Sequence, residues 1–193
     1  MTSRRTFLLG AAAALLPFPA HARAGFRPLF NRRCLEGWTP VGDANWRVER
    51  GILTADRGAI SFLVSRDRYR DFELRAEFWV SPDANSGIFL RCQDPAAITA
   101  DNAYEVNIFD RRPDPTYGTG AIVNVAPVAA PMPQAGGRWN LMAIRAQGDR
   151  FNVVLNGRTT VAAARDGRHR EGPVALQYGA GTVRFRRVEL RPL

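Results

Sequence analysis

The chain contains no lysine: all 27 of its basic side chains are arginine, set against 18 acidic ones, and there are only two histidines and two cysteines. Each scarcity removes a class of chemistry. His21 lies in the leader-like start of the chain, so His169, in the charged run Arg168-His169-Arg170, is the one imidazole left for a folded domain. A serine or cysteine nucleophile served by a histidine base therefore has almost nothing to draw on. A catalytic zinc, which takes histidine or cysteine ligands, fails on the same count. No glycine-rich loop follows a strand and opens a helix, so the signature of nucleotide-phosphate binding is missing. No apolar run reaches the ~20 residues a membrane span requires. The formal net charge is +9, but arginines alternate with acids, as in Arg66-Asp67-Arg68-Tyr69-Arg70-Asp71, instead of forming a basic stripe. Nucleic acid is not an expected partner.

What is present starts with an export signal. Ser3-Arg4-Arg5-Thr6-Phe7-Leu8-Leu9 heads an Ala/Leu run to Phe18, and Ala22-Arg23-Ala24 fits an A-x-A cleavage site. The Arg4-Arg5 pair resembles a twin-arginine signal. Residues 1–24 are read as a signal peptide, the destination as the periplasm or the exterior, and residues 25–193 as one domain with a proper core. In an oxidising compartment Cys34 and Cys92 either form one disulfide or remain buried thiols, and their spacing leaves both open. Nothing in the sequence specifies an oligomeric state.

After residue 24 no stretch has helical period, and short alternating runs recur between turn signals. Phe72, Leu74, Ala76, Phe78 and Val80 share one face of a strand, with Glu73, Arg75, Glu77 and Trp79 on the other. Hairpins are expected at Gly51, at Gly148-Asp149 and at Asn156-Gly157. Further strands are expected at 59–64, 120–125, 138–146, 150–156, 173–177 and 183–190, and long proline-bearing loops at 111–119 and 126–137. Many short strands with regular turns predict an all-β fold: a two-sheet antiparallel sandwich, most simply a jelly roll.

Two runs carry the candidate site, Asn85-Ser86-Gly87-Ile88-Phe89-Leu90-Arg91-Cys92 and Tyr104-Glu105-Val106-Asn107-Ile108-Phe109-Asp110. If Ile88 and Leu90 point inward, parity sends Gly87, Phe89 and Arg91 outward. In the second run Tyr104, Val106 and Ile108 lie on one face, Glu105, Asn107 and Phe109 on the other. Side by side, the two strands offer an arginine, a carboxylate, an amide and an aromatic ring to a polar small molecule such as a sugar. A calcium ion held by oxygen ligands is compatible with the carboxylates, although no calcium loop is present.

Those runs, with Leu29-Phe30-Asn31, Leu35-Glu36-Gly37-Trp38, Asp71-Phe72-Glu73-Leu74, Thr119-Gly120-Ala121-Ile122, Trp139-Asn140, Leu155-Asn156-Gly157, Leu176-Gln177 and Val183-Arg184-Phe185-Arg186, resemble in order and spacing the motifs of the 3-keto-disaccharide hydrolase family. Asn107 stands where that family often has Gln, Val123 where it often has Tyr, and Tyr178-Gly179 follow Gln177 where many members carry a His. The resemblance implies a concanavalin-A-like jelly roll that takes a sugar on its concave sheet, needs no organic cofactor, and cleaves glycosides oxidised to a ketone at carbon 3. It casts Glu105 as the base beside the ketone, Arg91 and Asn107 as holders of substrate oxygens or of the enolate, and Asp110 as the weaker candidate for an acid. Asn85, Phe89 and Tyr104 complete the substrate-binding set. The competing expectation is a non-catalytic carbohydrate-binding module that uses Phe89 and Trp79 as stacking platforms.

Overall fold

The computed structural model describes residues 25–193. The signal peptide expected at residues 1–24 lies outside the described residues.

The strands are β1 (Arg27–Pro28), β2 (Trp38–Gly42), β3 (Arg47–Glu49), β4 (Ile52–Ala55), β5 (Ser61–Tyr69), β6 (Phe72–Val80), β7 (Asn85–Leu90), β8 (Tyr104–Ile108), β9 (Trp139–Gln147), β10 (Arg150–Leu155), β11 (Arg158–Arg165), β12 (Gly172–Ala180) and β13 (Val183–Pro192). They form two antiparallel sheets. The larger runs β11-β10-β9-β6-β13-β4-β3, with β1 beside β13, and the smaller runs β2-β5-β12-β7-β8. The two-sheet antiparallel sandwich expected from the sequence is the one observed. Pro115–Tyr117 adds a 3-10 turn, and no helix among the described residues is long and apolar enough to cross a membrane.

Local chemistry explains the elements. In β6 each apolar residue of the alternation is buried and each intervening residue is half-buried. On that outer face Glu73 pairs with Arg145 and Arg191, and Glu77 with Arg186 and Arg187. The β3–β4 hairpin turns on Arg50 and Gly51, both at positive φ (51° and 76°), as a two-residue turn between twisted strands requires.

The main core lies between the sheets, where Ile88, Leu90, Tyr104, Val106, Ile108 and Leu176 meet Leu74, Phe78, Phe151 and Phe185. A second cluster lies on the opposite face of the smaller sheet. Phe62, Val64, Phe89 and Ala175 are roofed there by Cys92, Ile98 and Ala103. The cysteines are unbridged, Cys34 exposed and Cys92 buried, and burial pushes the Cys92 thiol up to about 12.

One expected strand is corrected. Residues 120–125 double back instead of extending: Asn124 has φ 59°, Val125 and Ala126 both donate their N–H to the Ile122 carbonyl, and pairing shrinks to isolated bridges of Ile122 with Val106 and Ala126. The segment still closes the edge of β8, because Val123 N–H donates to Glu105 O (3.0 Å) and Asn107 N–H to Ala121 O (3.0 Å).

Because Leu74 of β6 is completely buried, Leu74→Ala is expected to lower unfolding free energy by about 2–5 kcal/mol. Asp149→Asn in an exposed turn should stay within about 0.5 kcal/mol of wild type. Chemical denaturation of both variants checks the assignment of faces.

Candidate functional site

The register of the smaller sheet sets two rows of side chains on its outer face. Gln177 of β12 stands opposite Gly87 of β7, which stands opposite Asn107 of β8. In the next row Ala175 stands opposite Phe89, and Phe89 opposite Glu105. With strands about 4.8 Å apart, Gln177 and Asn107 are separated by about 10 Å, and the position between them carries no side chain. A Cβ built on Gly87 would lie 3.2 Å from Phe89 Cε2, 3.3 Å from Gln177 Oε1 and 3.3 Å from Glu105 Cγ. The carboxylate stem and the amide oxygen thus converge over the glycine. Asn85, by strand parity, borders the same floor, and its side chain packs against Gly179, where a Cβ would come within 2.9 Å of its Nδ2.

The electrostatics of this floor are unusual. Glu105 is 8% exposed. Its burial pushes the carboxyl from 4.5 to about 7, while the charge of Arg112 pulls the other way. Asn107 Nδ2 donates to the Tyr117 carbonyl (2.7 Å). Asn107 Oδ1 and Gln177 Oε1 are buried with no hydrogen-bond partner among the described residues. A buried acceptor left unpaired costs about 1–3 kcal/mol. Folded proteins carry few of them, and two on one floor beside a near-neutral carboxyl mark a place prepared for donors. No group of three or more His, Cys, Asp or Glu side chains that could hold a metal occurs among the described residues.

Of the residues expected here, Glu105, Asn107 and Asn85 share the outer face. The others do not join them as open contacts. Arg91 follows the end of β7 at φ 54°, which breaks the strand parity and turns its side chain to the end of the sandwich. There it donates to Arg70 O (2.8 Å), Gly148 O (2.8 Å) and His169 O (3.1 Å) and pairs with Asp71 at 3.2 Å. Tyr104 faces the core as its parity required. Its ring lies 4.4 Å from that of Phe151, its hydroxyl donates to Asp166 Oδ1 and accepts from His169 N–H, and burial raises it to about 12. Phe89 is on the right face but under the roof, 2% exposed and edge-on to Phe62, a wall of the site and not a stacking platform. Asp110 lies beyond β8 with both oxygens engaged: Oδ1 accepts from Thr119 Oγ1 (2.6 Å) and Oδ2 from Ala135 N–H (2.9 Å) and Gly136 N–H (2.8 Å). It anchors the 126–137 loop. Trp79 lies on the outer face of the larger sheet beneath Arg184, at 4.8 Å.

Sequence reasoning omitted two residues. Gln177 belongs to a quoted motif, and its signal was an amide within the otherwise apolar run 173–178. Arg112, not Arg91, is the cation whose charge acts on Glu105, and in the 111–119 loop it had no periodicity to reveal it.

Comparison with known proteins matches the chain over residues 25–191 to the family described as the 3-keto-alpha-glucoside-1,2-lyase-like domain. Among solved structures it is similar to a protein provisionally assigned as a glycosyl hydrolase from Parabacteroides distasonis ATCC 8503, with TM-score 0.78 and 16% identity over 92% of this chain and 98% of that one. A second such protein from the same organism gives TM-score 0.70 and 24% identity over 87% and 99%. The carbohydrate-binding module CBM66 of Bacillus subtilis gives 0.60 and 20% over 80% and 95%. These likenesses establish the fold. No curated protein matches the chain.

The raised carboxyl has a thermodynamic signature. A folded state that binds the Glu105 proton more tightly than the unfolded chain is favoured at low pH, and that contribution is lost as pH rises from about 4.5 through about 7. Glu105→Gln should therefore match wild type at pH 4 and exceed it by up to about 3 kcal/mol at pH 8. Denaturation curves at the two pH values test this.

Proposed function

Because the chain belongs to the 3-keto-alpha-glucoside-1,2-lyase-like family, we propose that it breaks the glycosidic bond of a glycoside bearing a ketone at carbon 3, with Glu105 as the base. The observation that carries this reading is the Glu105 carboxyl itself, 8% exposed and pushed to about 7 on the outer face of the smaller sheet. A base that titrates near the working pH combines a useful ionised fraction with enough basicity to take a carbon-bound proton.

The ketone acidifies the proton on carbon 2. Glu105 takes that proton, the bonding pair becomes the enolate between carbons 2 and 3, and negative charge gathers on the ketone oxygen. Arg112, whose charge acts on Glu105, is the proposed cation to balance it. Re-formation of the ketone expels the group on carbon 1 and leaves a double bond between carbons 1 and 2. Glu105 is then protonated and holds the proton that the leaving oxygen needs. Addition of water across the double bond converts the elimination into net hydrolysis. The same reading places the protein outside the cytoplasm through the Arg4-Arg5 signal, with a carbohydrate as its partner.

The expected result is turnover of a 3-keto glucoside and none of the parent glucoside, with kcat/KM rising with pH to a plateau above about 7. Glu105→Gln should lose about two or more orders of magnitude. Arg112→Met should lower kcat more than it raises KM. A saturable affinity for the unoxidised sugar with turnover of neither compound would make the protein a binding module instead, and equal hydrolysis of both would overturn the elimination.

A further inference from the structure

The two unpartnered amide oxygens are more specific than the base. Gln177 is 9% exposed and Asn107 0%, and each presents an acceptor with no donor among the described residues. The amide of Asn107 cannot turn to exchange roles without losing the bond from Nδ2 to the Tyr117 carbonyl. The two stand on either side of Gly87 in a single cross-strand row, and Glu105 leans in from the adjoining row. With Gln177 oriented as it stands and Glu105 ionised, all three offer acceptors, and the floor between them asks for a ligand that brings donors.

Resting on the reading of Glu105 as the base, we propose that Gln177 Oε1 and Asn107 Oδ1 are a pair of specificity-determining acceptors. They take two hydroxyl groups of one sugar ring laid over Gly87. The substrate class is then narrower than any 3-keto glycoside: the ketone-bearing ring itself must carry free hydroxyls on two sides, and it is that ring, not the leaving group, that the sheet recognises. Deoxy or O-methylated rings are rejected, because they would seal a buried acceptor without a donor. A Cβ at residue 87 would meet Gln177 Oε1 and Glu105 Cγ at 3.3 Å and force the acceptor and the base apart.

The test separates recognition from chemistry. Binding of methyl glucoside and its 2-, 4- and 6-deoxy analogues to the Glu105→Gln protein is measured by calorimetry, and kcat/KM of wild type is measured on the corresponding 3-keto compounds. Two of the deoxy sugars are expected to bind about 100-fold more weakly than the parent. Gln177→Leu should abolish the discrimination at one of those positions and leave the other intact. It removes an oxygen that has no partner among the described residues, so its Tm should not fall, which distinguishes a recognition role from a structural one. Asn107→Leu should show the converse, and if its loss of the Tyr117 contact prevents folding, the deoxy series on the parent protein still decides. Deoxy sugars bound within about threefold of the parent would overturn the proposal even with 3-keto turnover intact. Hydroxyl discrimination without turnover of any ketone would keep it and overturn the assignment of the reaction alone.

Discussion

The site depends on a guanidinium that never touches it. Arg91 is wholly buried and its charge is disfavoured by burial, the largest influence on it, with Asp71 opposing. It persists there because three backbone carbonyls and a carboxylate meet its donors. Those partners come from the β5–β6 turn, the β9–β10 turn and the loop before β12, so one side chain at the end of the smaller sheet fastens the turn that joins the two sheets to a hairpin of the larger one. A buried arginine so satisfied contributes little net stability over an apolar residue, but stripping it of partners costs about 3–5 kcal/mol, which makes the geometry hard to leave. The positive φ at the same residue sends the chain out of β7 and over the outer face, where Cys92, Ile98 and Ala103 roof Phe89 and its neighbours.

That roof explains the chemistry of the adjoining row. Glu105 sits opposite Phe89, with apolar cover on one side and the 118–123 segment along its edge. A carboxyl so placed either finds a cation in contact or becomes less acidic. Arg112 acts from a distance without forming an ion pair, so burial wins. The sandwich therefore holds a weakened acid at the expense of stability above neutral pH, and leaves two amide oxygens unmatched beside it. Strain of this kind is retained where a bound ligand relieves it.

How much of this was legible follows from which properties are local. The faces of β6 and β8 could be read because alternation over five to nine residues is a local property: it set Glu105 with Asn107, and it set Tyr104 with Val106 and Ile108, so the expectation of Tyr104 as a substrate-binding residue is the part the buried ring overturns. Parity failed one residue past the end of β7, where Arg91 leaves the strand in a left-handed conformation that an arginine side chain does not announce. Asp110 looked available because the sequence cannot show that a loop 25 residues later returns to claim its oxygens. The row Gln177-Gly87-Asn107 is a matter of register between strands 90 residues apart, and no local pattern carries that. Gly87 itself was visible, but its meaning lies in the two side chains that lean across it.

The arrangement also discriminates between ways of breaking a glycosidic bond. Direct hydrolysis of an unactivated glycoside uses two carboxyl groups about 5–10 Å apart, one to protonate the leaving oxygen and one to attack or to activate water. Here the charge of Arg112 lowers the Glu105 carboxyl, and Asp110, the acid at the end of the same run, has its oxygens filled by a hydroxyl and two backbone N–H groups. A single carboxyl titrating near 7 is a poor substitute for that pair. It is sufficient when the substrate supplies its own activation, because a ketone next to the carbon that loses its proton lets one group take the proton and then hold it for the leaving oxygen. The scarcity of histidine, cysteine and lysine that empties the sequence of familiar catalytic sets is consistent with the proposed division of labour, in which an oxidised sugar would carry the electron sink and the sheet would supply one desolvated base and a floor of acceptors.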